Sequence, residues 1–179
     1  MRKSRRMIGL SIMTIAFLLS GCSSTGTIDA DDQIPWSITI PDLSVRLIVR
    51  DTRLELGWYP ACVMEVMNTS RKTILLRRDF SLNGPAVYNK RGELMPQRRH
   101  VEIKAGEALL YHRLEPGRRI SIKAKPNYKM DSRGEYRLRF SIRPVWWGFE
   151  DPEKPGKMLK KAETGGSPAM SNKVAVTVY

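Results

Sequence analysis

The chain has 179 residues, of which 31 are Lys or Arg and 18 are Asp or Glu, for a formal charge of +13. Hydrophobic residues make up 41%, so this is not a charge-dominated disordered chain, and the length suits one domain or at most two small ones. Two Cys permit at most one disulfide, which excludes a disulfide-stapled scaffold, and no apolar run reaches the roughly 18–20 residues of a transmembrane helix.

Arg2, Lys3, Arg5 and Arg6 precede an apolar stretch from Met7 to Leu19 and a small-residue site at Ser20-Gly21. A positive segment, a short apolar segment and a small-residue site in that order form a secretory signal peptide. Leu19-Ser20-Gly21-Cys22 then resembles the lipobox of bacterial lipoproteins. The resemblance implies a signal peptide over residues 1–21, cleavage before Cys22, a diacylglycerol thioether on its sulfur and acylation of the new amino group. Each buried CH₂ contributes about 0.8 kcal/mol, so two or three chains hold a protein firmly where one holds it marginally. Ser4-Arg5-Arg6-Met7-Ile8 partly resembles a twin-arginine export signal. Ser23, where Asp would retain an enterobacterial lipoprotein at the inner membrane, resembles the outer-membrane class. The implied location is the outer membrane, facing the periplasm.

Residues 22–35 read as the lipidated Cys and a flexible tether, Ser-Ser-Thr-Gly-Thr followed by Asp29, Asp31 and Asp32. Thirteen residues from Ser23 to Pro35 span at most roughly 40 Å, which keeps the following domain near its membrane.

From Trp36 to Tyr179 the dominant period is two, the signature of half-buried strands. Trp36, Ile38 and Ile40 alternate with Ser37 and Thr39; Leu43, Val45, Leu47 and Val49 alternate with the polar Ser44, Arg46 and Arg50. Cys62, Met64 and Val66 share a face opposite Glu65, and Asn68-Thr69-Ser70 closes that strand. Thr73–Leu76 is a short apolar strand, and Ala86–Met95 a hairpin turning at Asn89-Lys90-Arg91-Gly92. Strands follow at Ala108–Tyr111, at Ile120, Ile122 and Ala124, and at Tyr136, Leu138, Phe140 and Ile142, whose other face carries Arg137, Arg139, Ser141 and Arg143. Val174, Val176 and Val178 alternate at the end. Eight or nine short strands split by Gly and Pro predict an all-β fold, an antiparallel sandwich over residues 36–179. Gly134-Glu135-Tyr136, the Asn68-Thr69-Ser70 and Leu114–Gly117 turns and the Ser171-Asn172-Lys173-Val174 strand resemble immunoglobulin-like modules of bacterial surface proteins. A long polar stretch, residues 149–170, reads as a mobile loop before the last strand.

No catalytic set stands out. His100 and His112 form no metal-binding doublet, Cys62 lies on an apolar face, and no Gly-rich phosphate loop follows a strand. The scattered Met residues, with one Met64/Met67 pair, do not cluster as copper ligands do. The expectation is a non-enzymatic binding or structural module with no cofactor and no metal. Charge is the informative remainder: residues 71–143 carry net +12, whereas 22–70 carry −4. Arg119, Lys123 and Lys125 on one strand and Arg137, Arg139 and Arg143 on another are candidate anion-binding residues, forming one cationic sheet surface if the two strands pair. A solvated face that keeps the domain soluble is the other reading. Nucleic acid is not expected as a partner in this compartment; anionic lipid, lipopolysaccharide or a cell-wall polymer is. Trp146 and Trp147, adjacent on an extended segment, point to opposite faces, so one is a candidate platform for sugar or peptide and the other core.

Overall fold

Strands form where alternation supplies one apolar face, and the computed structural model describes residues 34–82, 84–99, 110–159 and 167–179. The signal sequence, Cys22 and nearly all of the tether lie outside the described residues, as do His100, Ala108 and Leu109. Eleven strands are present among the described residues: β1 (Ser37–Ile40), β2 (Leu43–Val49), β3 (Arg53–Leu54), β4 (Cys62–Asn68), β5 (Ile74–Arg77), β6 (Ala86–Asn89), β7 (Tyr111–Leu114), β8 (Arg119–Ala124), β9 (Gly134–Ile142), β10 (Trp147–Phe149) and β11 (Ala169–Val178). The count exceeds the expected eight or nine because β3 and β10 are only two and three residues long. Helical structure among these residues is confined to 3₁₀ turns at Arg78–Ser81 and Pro144–Trp146.

Sheet I runs β1-β2-β4-β8, sheet II runs β3-β11-β9-β6, and sheet III runs β10-β5-β7. All pairings are antiparallel except β3 with β11. Sheets I and II face each other over one core, which takes Leu43, Val45 and Leu47 from β2, Met64 and Val66 from β4, Leu138 and Phe140 from β9, and Val176 from β11. Sheet III adds Ile74, Leu76, Leu114 and Trp147 to the same cluster. Fully burying one such aliphatic or aromatic side chain contributes roughly 1.5–3 kcal/mol, which is what holds each inward face in place.

The fold is thus an all-β, immunoglobulin-like sandwich, and one local device marks it. The buried Tyr136, near the start of β9, donates its hydroxyl hydrogen to the carbonyl of Ser132 at 2.8 Å, the geometry of a tyrosine corner. The Asn68 turn is tied just as closely. Its Nδ2 donates to Lys72 O and Leu114 O, both at 2.8 Å, and its Oδ1 accepts from the Ser70 backbone N–H at 2.9 Å. Gly117 N–H donates to the Asn68 backbone carbonyl, so the two turns noted in the sequence are joined by both the backbone and the buried side chain of Asn68. The β6 hairpin turns at Asn89–Gly92 as expected, with Gly92 at a φ of +83°. β1 pairs with β2 only over Leu43–Val45. Further along, Asn172 of the β11 bulge accepts from Leu47 N–H at 2.7 Å and donates to Leu47 O at 2.9 Å.

Two expectations are corrected. β8 and β9 do not pair: β8 is hydrogen-bonded to β4 in sheet I, and β9 lies between β11 and β6 in sheet II. The stretch after β10 is not a loose loop over its first ten residues. Glu150 pairs with Met158, Leu159 N–H donates to Phe149 O at 2.8 Å, and Asp151 N–H to Lys157 O at 2.8 Å, a hairpin closed over Gly148. Residues 160–166 lie outside the described residues.

Candidate functional site

The polar positions of β2, β4 and β8 fall on the outer side of sheet I, and antiparallel register places them in rows. Arg46 is opposite Glu65, and Glu65 is opposite Ser121. Arg46 Nε donates to Glu65 Oε2 at 2.5 Å, and Ser121 Oγ donates to Glu65 Oε1 at 2.5 Å. Alternation predicts Arg46 in solvent, yet it is 2% exposed and Glu65 6%. Alternation tells which side of the sheet a residue occupies; it does not tell whether that side is wet. Arg46 also reaches the start of the domain. Its Nη1 donates to Ile34 O at 3.2 Å, and its guanidinium lies 4.6 Å from the Trp36 ring centroid, a cation–π contact.

Beyond that row the same face opens into a groove of about 560 Å³. Ile48, Ala61 and Val63 form an apolar floor; Arg50, Lys123 and Lys125 stand at the rim. Lys123 lies opposite Val63 in the register, and neither Lys123 nor Lys125 has an ion-pair partner among the described residues. Gly84 fixes the end of this rim: at φ +60° it approaches so closely that a Cβ there would sit 2.2 Å from the Lys125 carbonyl oxygen.

The six candidate cations are therefore divided. Arg119, Lys123 and Lys125 lie on the outer side of sheet I, Arg137 and Arg139 on that of sheet II. There Arg137, Arg139 and Lys173 border a cleft of about 180 Å³ with Tyr88 and Gly92, and Arg139 Nε donates to Ser171 O at 3.2 Å. Arg143 sits past the end of β9 with its guanidinium 5.5 Å from the Trp146 ring centroid.

Trp147 is 3% exposed and packs edge-on to Phe149 at 6.0 Å, while Trp146 is half-buried against the core. Neither ring is a bare platform. The exposed indole is Trp58, at 68%, beside a cleft lined by Asp51, Arg53 and Glu55, with the Tyr179 ring under the Arg53 guanidinium at 5.9 Å. Residues 55–59 show no period in the sequence, so Trp58 carries no signal there. Arg50, by contrast, was legible as the continuation of the polar side of β2.

Reactive groups are few among the described residues. Cys62 lies on the inward side of β4 as expected, and burial pushes its thiol up to about 12. His112, edge-on to Phe80 at 6.4 Å, is held below its ordinary value by burial and by the nearby Arg78 charge. Glu150 is held below the usual carboxylate range by the Gly156 N–H it accepts and by Arg113, against the opposing effect of burial. Among the described residues no group of three or more His, Cys, Asp or Glu gathers closely enough to hold a metal ion, and no helix is long and apolar enough to cross a membrane.

Comparison with protein-family models and with curated protein sequences finds no match. Among solved structures the chain is similar to the CARDB domain of a Pyrococcus furiosus protein, solved in complex with di-metal ions. The identity is 15%, the match covers 77% of this chain and 93% of that one, and the TM-score is 0.35.

Proposed function

We propose that the chain is an envelope lipoprotein, a non-enzymatic binding or structural module held at a membrane by an acylated Cys22. The observation that carries this reading is the Leu19-Ser20-Gly21-Cys22 box directly after a basic segment and a short apolar one. A buried Cys62 thiol with its titration pushed up to about 12 is a poor nucleophile, which agrees with a binding role. Mass spectrometry of the mature protein is expected to find acyl chains on Cys22 and no residue before it. Cys22→Ser is expected to leave the precursor unprocessed or to release it from membranes. A mature protein that starts elsewhere without lipid refutes the reading.

A second reading is supported by the sheet II cleft. Arg137, Arg139 and Lys173 beside the Tyr88 ring suit an anionic glycan, such as lipopolysaccharide or a cell-wall polymer, with charge for the anion and an aromatic ring for the sugar. Tyr88 takes the place that Trp146 and Trp147 hold in the sequence-based expectation. Salt-sensitive binding to cell-wall sacculi that Arg137→Glu/Arg139→Glu abolishes would support it, and equal binding by wild type and variant would dispose of it.

A further inference from the structure

We infer that the outer face of sheet I docks on anionic phospholipid headgroups of the membrane that carries the lipid anchor. The inference rests on the lipoprotein reading above and assigns that module its membrane-facing side.

The groove has the chemistry of a membrane boundary. A phospholipid surface presents phosphates above carbonyls and the first methylenes of the acyl chains. The sheet I groove presents Arg50, Lys123 and Lys125 around Ile48, Ala61 and Val63. Arg50 and Lys125 flank Ala61 across about two strand spacings, roughly 10 Å, so the rim spans more than one headgroup phosphate while the floor stays apolar.

The chain also enters the domain on this face. Arg46 holds Ile34 O and the Trp36 ring against the outer side of β2, four residues from Arg50, or roughly 13 Å along the strand. From Cys22 to Ile34 there are twelve residues, which reach at most roughly 40 Å. A groove tethered that closely meets headgroups at millimolar or higher effective concentration, so an affinity too weak to recruit a free protein is enough to orient an anchored one. Basic residues near an anionic leaflet supply that order of attraction, falling off within about 10 Å in ordinary salt.

The sheet II cations point away. Sheets I and II pack face to face, so Arg137, Arg139 and Lys173 lie on the opposite outer surface and cannot touch the same plane. The two basic patches are therefore separable by mutation.

The test uses the mature lipidated protein, reconstituted from detergent into an equal mixture of two vesicle populations separable by density. One is pure phosphatidylcholine; the other contains one-third phosphatidylglycerol. The acyl anchor partitions into both, so the distribution ratio isolates the headgroup contribution. Wild type is expected to favour the anionic vesicles, with the preference vanishing at 0.5 M salt. Lys123→Gln/Lys125→Gln is expected to lower the preference about thirtyfold, the equivalent of about 2 kcal/mol at about 1.4 kcal/mol per tenfold. Lys123→Arg/Lys125→Arg is expected to keep it, as is Arg137→Gln/Arg139→Gln. An even wild-type distribution, or an equal loss from the sheet II variant, overturns the inference. So does a charge-retaining Arg variant that behaves like the Gln one. Protein that stays with neither population refutes the anchoring instead, and acyl mass on Cys22 distinguishes the two failures.

Discussion

Removing Glu65 tests the reading of the sheet I outer face most sharply. Its carboxylate accepts from Arg46 Nε and from Ser121 Oγ, and the two charged side chains are 2% and 8% exposed. Glu65→Ala takes from a buried guanidinium the carboxylate that its Nε bonds, and breaking a buried pair from one side costs about 3–5 kcal/mol. Domain stabilities run about 5–15 kcal/mol, so this is a large fraction of the whole. For a domain of this size it lowers Tm by roughly 6–20 °C. The exposed Lys90–Glu135 pair, 3.8 Å apart with side chains 78% and 62% exposed, is the internal control, and Glu135→Ala is expected to cost under about 0.5 kcal/mol. Replacing both partners, as in Arg46→Met/Glu65→Leu, is expected to recover most of the loss, because both charges of the pair are then removed. Urea unfolding of the four proteins, read as midpoints with unchanged slopes, measures all of this. If Glu65→Ala costs no more than Glu135→Ala, the pair is solvated and the reasoning fails.

Gly84→Ala is expected to cost more than about 2 kcal/mol in the same assay, since its Cβ meets the Lys125 backbone carbonyl and its φ is left-handed. Gly92→Ala, also at positive φ but with open space around it, is expected to cost only about 1 kcal/mol, and equal costs would refute the close-approach argument. The His112 imidazole is held below 6.5 in the folded domain, so the unfolded chain binds its proton more readily. Its contribution to stability is present above about pH 6.5 and is lost as pH falls toward the folded value. His112→Gln should flatten the urea midpoint between pH 7.5 and 5.5; an unchanged slope would assign that dependence elsewhere.

Much of the architecture was legible because the inward side of each sandwich strand is apolar. Leu43 to Val49, Cys62 to Val66 and Tyr136 to Ile142 show that side as a period of two, and the structure turns those apolar positions to the core as read, although β2 is buried on its other side as well. Sheet membership was not legible. Which strand lies beside β8 depends on partners far apart in sequence, and alternation reads the same whether Arg119 and Arg137 share a sheet or occupy opposite outer surfaces. The Arg46–Glu65 pair was half visible, as two opposite charges on the polar sides of neighbouring strands, while their burial was not. The groove was split in the same way: Lys123 and Lys125 follow from alternation, but Ile48 and Ala61 become a floor only when β2 and β4 lie in register.

Asn172 has a consequence for how separate copies of the domain coexist. Past Val45, β1 no longer pairs with β2, and the Leu47 N–H and C=O are one donor and one acceptor that β1 does not take up. The Asn172 amide presents the same two groups as a peptide unit and occupies both. It works as a stopper: a strand from another molecule would have to displace two bonds already made before gaining its own. Copies of a sheet protein at high local concentration meet one another's edges often, and a plugged edge keeps those encounters from growing into a shared sheet.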